Sequence, residues 1–351
     1  MMSNKDIIVC KGGVSNFSSE EALNEASIIN GNPTGIADWN NPSRKWAVSI
    51  YDLMLNYNWH HSEASIGSDI EPYKKLSNEN KEAYDLSLAQ IIANDNLQDS
   101  QLVESIASYI TDPLVKDCLI RQASEEVHHH RSYGVMASDV CVDSDRIYRM
   151  HKEDPMLARK NKSVELMYEK VNNTDTNISV HDFQKAVAAN NILEQQVFPG
   201  GFLVLWHVSS QGLPGTAKMI GFIERDESGT HVPLFKNIFS DIRKQYGLDK
   251  DTEQEISDMI SHMCEEDKVW VKYLTKRLLG FSEKAVDLFC EHMANIVYNN
   301  LKIKSPYEQT KGGPLMSVFE LNSMLSKVKN KTNQFEQAVG DYSTGGLDED
   351  Y

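Results

Sequence analysis

Glu126-Val127-His128-His129 and Glu227-Ser228-Gly229-Thr230-His231 each put a carboxylate and an imidazole about one helical turn apart. A helix turns once in about 3.6 residues, so partners at i,i+3 or i,i+4 share a face and can grip one ion. Two such pairs, with one inward carboxylate from each of two further helices, make the ligand set of a di-metal carboxylate bundle. Asp95, upstream of the first pair, and Glu194, upstream of the second, supply the lone carboxylates. Hard carboxylates with one imidazole per ion suit iron or manganese better than zinc. Tyr133 lies one turn beyond His129. A redox-capable metal pair beside a buried phenol is a means to make and keep a tyrosyl radical.

A lone Glu–His pair at helical spacing is common on solvated faces, so the surroundings decide. Asp95 sits among Ile91, Ile92 and Leu97, and Glu194 among Ile192, Leu193, Val197 and Phe198. A buried, unpaired carboxylate costs several kcal/mol. Four of them facing one core repel one another, and two divalent ions are the natural remedy. Successive helix residues point about 100° apart, so His128, His129 and His130 cannot all face inward. His129 shares a stripe with Leu119, Gln122, Glu126 and Tyr133, which leaves His128 and His130 as flanking residues. Glu125, at i,i+4 from His129, ranks second to Glu126. Phe198, Phe202 and Ile223 fall one turn from ligand positions, where they would wall the phenol from solvent. The plainer reading of Tyr133 is a core tyrosine whose hydroxyl finds a hydrogen bond. His60, His61, His151, His181, His207, His262 and His292 lack matching partners and read as structural or surface residues.

The elements that must carry these groups are helices. Residues 1–45 are polar and should wrap loosely over the body; 46–57 reads as a short amphipathic helix. A long helix over 77–110 carries Asp95. Thr111-Asp112-Pro113 stops it and starts the next, with Asp112 as N-cap and Pro113 at the first helical position. That helix runs to about residue 139, and 143–172 forms one or two charged outer helices. Residues 181–210 form a core helix bearing Glu194, bent or unwound by Pro199-Gly200-Gly201. Gly212-Leu213-Pro214-Gly215 separates it from a helix over 216–246, and further helices cover 253–279 and 282–301. Residues 340–351 have no apolar periodicity and read as disordered.

The chain of 351 residues can bury a large core. It shows no internal linker, so one all-α domain with flexible ends is expected. A net charge of −16 leaves no basic stripe for nucleic acid. Five scattered cysteines with no C-x-x-C pair suit a reducing cytoplasm. No signal pattern or membrane-spanning apolar run is apparent, and a soluble, cytoplasmic protein is expected.

Taken together, Glu126-x-x-His129-x-Arg131-Ser132-Tyr133 with Asp95 upstream, Leu193-Glu194 ahead of Phe198, Gly212-Leu213-Pro214-Gly215 and Arg225-Asp226-Glu227 resemble the radical-generating small (beta) subunit of class I ribonucleotide reductase. The run Asn330-Lys331-Thr332-Asn333-Gln334-Phe335-Glu336 and the acidic, tyrosine-bearing tail resemble its C-terminal portion; the likeness covers roughly residues 45–351. The resemblance implies a ferritin-like helical bundle over 46–335, after a loosely structured segment over 1–45. A flexible tail over 336–351 would dock on a large (alpha) subunit. Asp95, Glu126 and His129 would hold one metal, and Glu194, Glu227 and His231 the other. The pair would be two iron or two manganese ions, or one of each. Oxygen activation would generate a radical at Tyr133, passed along His129–Asp226–Trp59 and then Tyr342, with Tyr351 as second choice, to a cysteine of the large subunit. A homodimer is implied, and the need for a flavoprotein activase stays open. Where the family has Glu-x-x-His, this chain has Glu227-x-x-x-His231, and the extra residue predicts a local bulge.

Two rival readings share parts of this pattern. One is a ferritin-like di-metal oxidase or ferroxidase working without a large subunit; Asp at 95, Tyr133 and the tyrosine-bearing tail speak against it. The other is a non-enzymatic helical interaction protein, which would hold no stoichiometric metal.

Overall fold

The computed structural model describes residues 3–12, 16–172, 177–276 and 278–329. Fourteen α-helices make up nearly all of its regular structure: α1 (Lys45–Asn56), α2 (Ile70–Lys75), α3 (Asn78–Ser100), α4 (Pro113–Asp139), α5 (Ser144–Glu153), α6 (Pro155–Met167), α7 (Glu169–Asn172), α8 (Val180–Ile192), α9 (Phe198–Ser209), α10 (Pro214–Asp226), α11 (Val232–Tyr246), α12 (Lys250–Thr275), α13 (Glu283–Leu301) and α14 (Gly313–Lys329). The fold is an all-α, ferritin-like bundle. None of the described helices is long and apolar enough to cross a membrane.

Local chemistry sets the boundaries that matter for the site. Asp112 accepts hydrogen bonds from the amides of Leu114 (2.9 Å) and Val115 (3.2 Å), and Pro113 opens α4 where no donor is needed. Ser77 and Ser282 cap α3 and α13 in the same way. Helix α3 packs against α4 and α9, and α8 against α11. It is buried on nearly every side, so polar Ser87, Gln90, Asn94, Asp95 and Gln98 lie inside the protein.

Two of the expected core helices are interrupted. The helix expected over 181–210 is α8 and α9 joined by a π-helical segment, Leu193–Val197. The helix expected over 216–246 is α10 and α11 joined by a second, Glu227–His231. Each segment is followed, one residue on, by a proline: Pro199 and Pro233. A proline ring clashes with the carbonyl four residues back, here that of Gln195 or Gly229, inside the widened turn. The unwinding at Glu194 therefore lies upstream of Pro199-Gly200-Gly201, and the two glycines stay helical. A Cβ on Gly200 would come within 2.9 Å of Val271 Cγ2, so the missing side chain lets α9 approach α12. The predicted bulge at Glu227–His231 is present. A Cβ on its Gly229 would meet the Tyr57 ring at 2.9 Å.

Other boundaries also differ from expectation. The long helix over 77–110 ends at Ser100 and continues as a π-helical turn, Gln101–Ile106. Three helices, α5 to α7, stand where one or two were expected, and α14 was not foreseen. The N-terminal segment is irregular but pinned rather than loose. Strand β1 (Ile8–Val9) pairs antiparallel with β2 (Ile178–Ser179), and Val9, Ile28 and Ile29 are fully buried. Asn4 donates to Gln184 on α8 at 2.8 Å. The tail expected over 336–351, with Tyr342 and Tyr351, lies outside the described residues.

Candidate metal centre

Asp95 comes from α3, Glu126 and His129 from α4, Glu194 from one π-helical segment, and Glu227 and His231 from the other. All six side chains are buried, none more than 2% exposed. Two groups of donor atoms converge: Asp95, Glu126 and His129, and Glu126, Glu194 and His231. Within each group the donors lie within 4.8 Å of one another, and Glu126 belongs to both. Glu227 joins neither group, yet its Oε1 lies 4.0 Å from His129 Nδ1.

The polar atoms left over decide what the site is for. Both oxygens of Asp95, one oxygen each of Glu126, Glu194 and Glu227, and Nδ1 of His129 and His231 are buried with no hydrogen-bond partner. Native interiors leave only a few such atoms per hundred residues, and here seven gather in one place on carboxylates and imidazoles. Oxygen donors with one imidazole per group fit hard divalent ions.

The surrounding groups prepare those atoms. His129 Nε2 lies 3.3 Å from Asp226 Oδ2, and His231 Nε2 lies 3.0 Å from Glu125 Oε2. Each carboxylate fixes its ring and leaves Nδ1 for an ion. Glu125 is thus the partner of His231, held in turn by Arg121 Nε at 3.1 Å, and not an alternative to Glu126 beside His129. Gln122 Nε2 donates to Glu126 Oε1 (3.1 Å) and Glu194 Oε1 (2.7 Å), and Gln98 donates to the same Glu194 oxygen. The amides occupy one oxygen of each carboxylate and leave the other.

Burial, and then the neighbouring negative charges, push the carboxyls of Asp95 and Glu227 well above the ordinary carboxylate range, and Glu194 also upward. Burial also opposes ionisation of Glu126, but His231 and His129 outweigh it and hold this group low. His129 is raised to about 10 against its burial, by Asp226 at Nε2 and by the Glu126 carboxylate 3.3 Å from Nδ1.

Tyr133 is fully buried and its hydroxyl has no hydrogen-bond partner. Burial, followed by the charges of Asp95, Glu227, Glu126 and Glu194, raises its pKa well above that of free tyrosine. The plain core-tyrosine reading does not describe it. Buried Tyr73, Tyr84 and Tyr168 satisfy their hydroxyls with Asp85, Thr216 and Asn190. Phe198, Phe202 and Ile223 are also fully buried. On the other side of His129, Asp226 Oδ2 accepts from Trp59 Nε1 at 2.6 Å. The half-buried indole stacks on Phe222, with centroids 5.0 Å apart, and meets the His128 ring edge-on.

Helices from four parts of the chain, closing on a buried carboxylate–imidazole cluster, define a bundle of the di-metal carboxylate class. Residues 36–314 match the family model for the ribonucleotide reductase small chain, and the chain belongs to that family, the small (beta) subunits of class I ribonucleoside-diphosphate reductase. Its members bind a di-metal site and work with a large subunit in ribonucleotide reduction. The chain is 28% identical over 345 residues to the ribonucleoside-diphosphate reductase subunit beta of Treponema pallidum (strain Nichols), covering 95% of each. The solved ribonucleotide reductase R2 subunit from Clostridium botulinum superposes with a TM-score of 0.83 at 28% identity, over 90% of this chain and 99% of that one. The dimanganese(II)-NrdF structure from Streptococcus sanguinis shares the fold, with a TM-score of 0.69 at 18% identity over 82% of this chain and 99% of that one.

Proposed function

We propose that Asp95, Glu126, His129, Glu194, Glu227 and His231 hold two ions, and that Tyr133 stores the oxidising equivalent used for ribonucleotide reduction. When bound, the metal pair supplies oxidising power drawn from dioxygen or a more reduced oxygen species. Tyr133 would yield one electron and its phenolic proton to the oxidised centre held by these six residues. The buried walls, including Phe198, Phe202 and Ile223, keep water from the resulting radical. Asp226 and Trp59 form the exit, joined to His129 by hydrogen-bond contacts. Beyond Trp59 the reading assigns the next transfer to Tyr342 in the tail over 336–351, with Tyr351 second. That tail docks on the large subunit, where a cysteine receives the radical.

The observation that carries this reading is the Tyr133 hydroxyl, buried without a partner one turn from His129 while other buried phenols are satisfied. Iron, manganese and a mixed pair all suit the donors. The reading includes a homodimer in the cytoplasm and leaves a flavoprotein activase as a further partner.

The test is metal content with low-temperature electron paramagnetic resonance, on protein reconstituted separately with iron and with manganese plus an oxidant. The expected result is about two ions per chain, by the ligand set of such bundles, and a tyrosyl signal that vanishes in Tyr133→Phe. Full activity of Tyr133→Phe with the large subunit would overturn the assignment of the radical.

A further inference from the structure

Lys160 is 1% exposed, a rare place for an ammonium group. It forms an ion pair with Asp267, itself 3% exposed, on α12. Buried pairs of this kind seldom stabilise a fold more than apolar residues of the same volume, because both ions must leave water. Their best-attested use is to specify one arrangement over another. The third member of the group names what is specified here. Gln196 Nε2 donates to Asp267 Oδ2 at 3.2 Å and to the Ile260 carbonyl at 3.3 Å. Gln196 lies inside the π-helical segment Leu193–Val197, two residues after Glu194.

A second tie holds the next residue of the same segment. Gln90 on α3 donates to the Val197 carbonyl at 3.2 Å and accepts from Trp270 Nε1 at 2.5 Å. Both ties therefore run to α12. A π-helical segment holds one residue more than an α-turn. Closing it to α geometry would rotate the chain on one side by about 100° relative to the other. Gln196 and Glu194 could not then both keep their present partners, α12 for one, Gln98 and Gln122 for the other.

We infer that Lys160, Asp267 and Gln196 form a positioning clamp that holds the widened turn open and thereby sets Glu194 at the metal centre. Lys160 offsets the buried charge of Asp267, Asp267 receives Gln196, and Gln196 fixes the register of its segment. The clamp acts on the donor group of Glu194 and His231, not on that of Asp95 and His129. It rests on the metal-centre reading proposed above.

The test titrates metal-free protein with Mn2+ and counts free Mn2+ by electron paramagnetic resonance, alongside amide hydrogen exchange over 193–197. In Lys160→Met/Asp267→Leu no buried charge remains, but Gln196 loses its side-chain acceptor. The melting temperature should hold or rise. One Mn2+ equivalent should weaken about 10- to 100-fold, the usual effect of losing an outer partner of a ligand, and exchange over 193–197 should accelerate. Lys160→Met/Asp267→Asn, neutral but still offering an acceptor, should bind both equivalents as the unmodified chain does. Two unchanged equivalents in the Met/Leu variant would overturn the clamp. Should that variant not fold, Gln196→Leu keeps the ion pair and must show the same selective loss; unchanged binding again refutes the inference. If the unmodified chain binds no Mn2+, the metal-centre reading has failed, and hydrogen exchange alone decides the clamp: faster exchange supports it, unchanged exchange removes it.

Discussion

Trp59 Nε1 donates to Asp226 Oδ2 at 2.6 Å, across a sequence separation of 167 residues. The same oxygen lies 3.3 Å from His129 Nε2, so one carboxylate joins a surface-proximal indole to a buried imidazole. Trp59→Phe removes the donor and keeps the ring stacked on Phe222. It should retain metal and the tyrosyl signal while nucleotide reduction with the large subunit falls to background. Activity within about tenfold of the unmodified protein, some 1.4 kcal/mol in barrier, would exclude Trp59 from the path.

Buried phenols supply a stability comparison independent of catalysis. The Tyr133 hydroxyl has no partner, so Tyr133→Phe in metal-free protein should be neutral or stabilising by about 1 kcal/mol. Tyr168→Phe strips the donor from Asn190 and should destabilise by about 1 to 3 kcal/mol. Urea denaturation of both variants gives the order; the reverse order would mean that the Tyr133 hydroxyl is satisfied in solution.

Metal binding and folding should respond to pH in opposite directions. Asp95, Glu194 and Glu227 hold protons above the ordinary carboxylate range in the metal-free state. Ions must displace those protons, so affinity rises with pH and binding releases acid. For the metal-free fold the sign is reversed. Carboxyls raised on folding bind more protons in the native state, and their stabilising effect falls as pH climbs above about 4. His129, raised to about 10, is stabilising below its unfolded value near 6.5 and loses that contribution as pH rises toward 10. The melting-temperature gap between loaded and chelated protein should therefore widen with pH; a constant gap would show that the cluster is already deprotonated.

Glu125 offers a sharper probe of one half of the site. Glu125→Ala frees His231 Nε2 from its only carboxylate partner at that nitrogen. One of the two Mn2+ equivalents should weaken about 10- to 100-fold, and the other by less, through the shared Glu126. Equal weakening of both in the same titration would assign Glu125 a general structural role.

Where the sequence was legible, the physics was local. Asp112-Pro113 marks a helix start through bonds to its next two or three residues, and the boundary appears where it was expected. The spacing of Glu126, His129 and Tyr133 needs only helical periodicity to put them on one buried stripe. The bulge at Glu227–His231 was readable only against the family resemblance, as one residue more than Glu-x-x-His with Gly229 inside it. Its counterpart at Glu194 was expected a few residues too late, at Pro199-Gly200-Gly201, because the proline clash falls on the carbonyl four residues back. The partnership of Glu125 with His231 joins residues 106 apart. No spacing rule reaches such a pair, and i,i+4 spacing pointed to His129 instead. Pairing of Ile8–Val9 with Ile178–Ser179 escaped for the same reason, since two-residue strands carry no detectable alternation.

Glu126 stands in both converging donor groups. Occupancy of one is therefore thermodynamically linked to occupancy of the other. An ion that fixes the Glu126 carboxylate removes rotamer freedom its neighbour would otherwise have to freeze, and the benefit is reciprocal by necessity. Loading should be steeper than for two independent sites. A cell containing scarce metal would then hold fewer half-built subunits than two independent sites would leave.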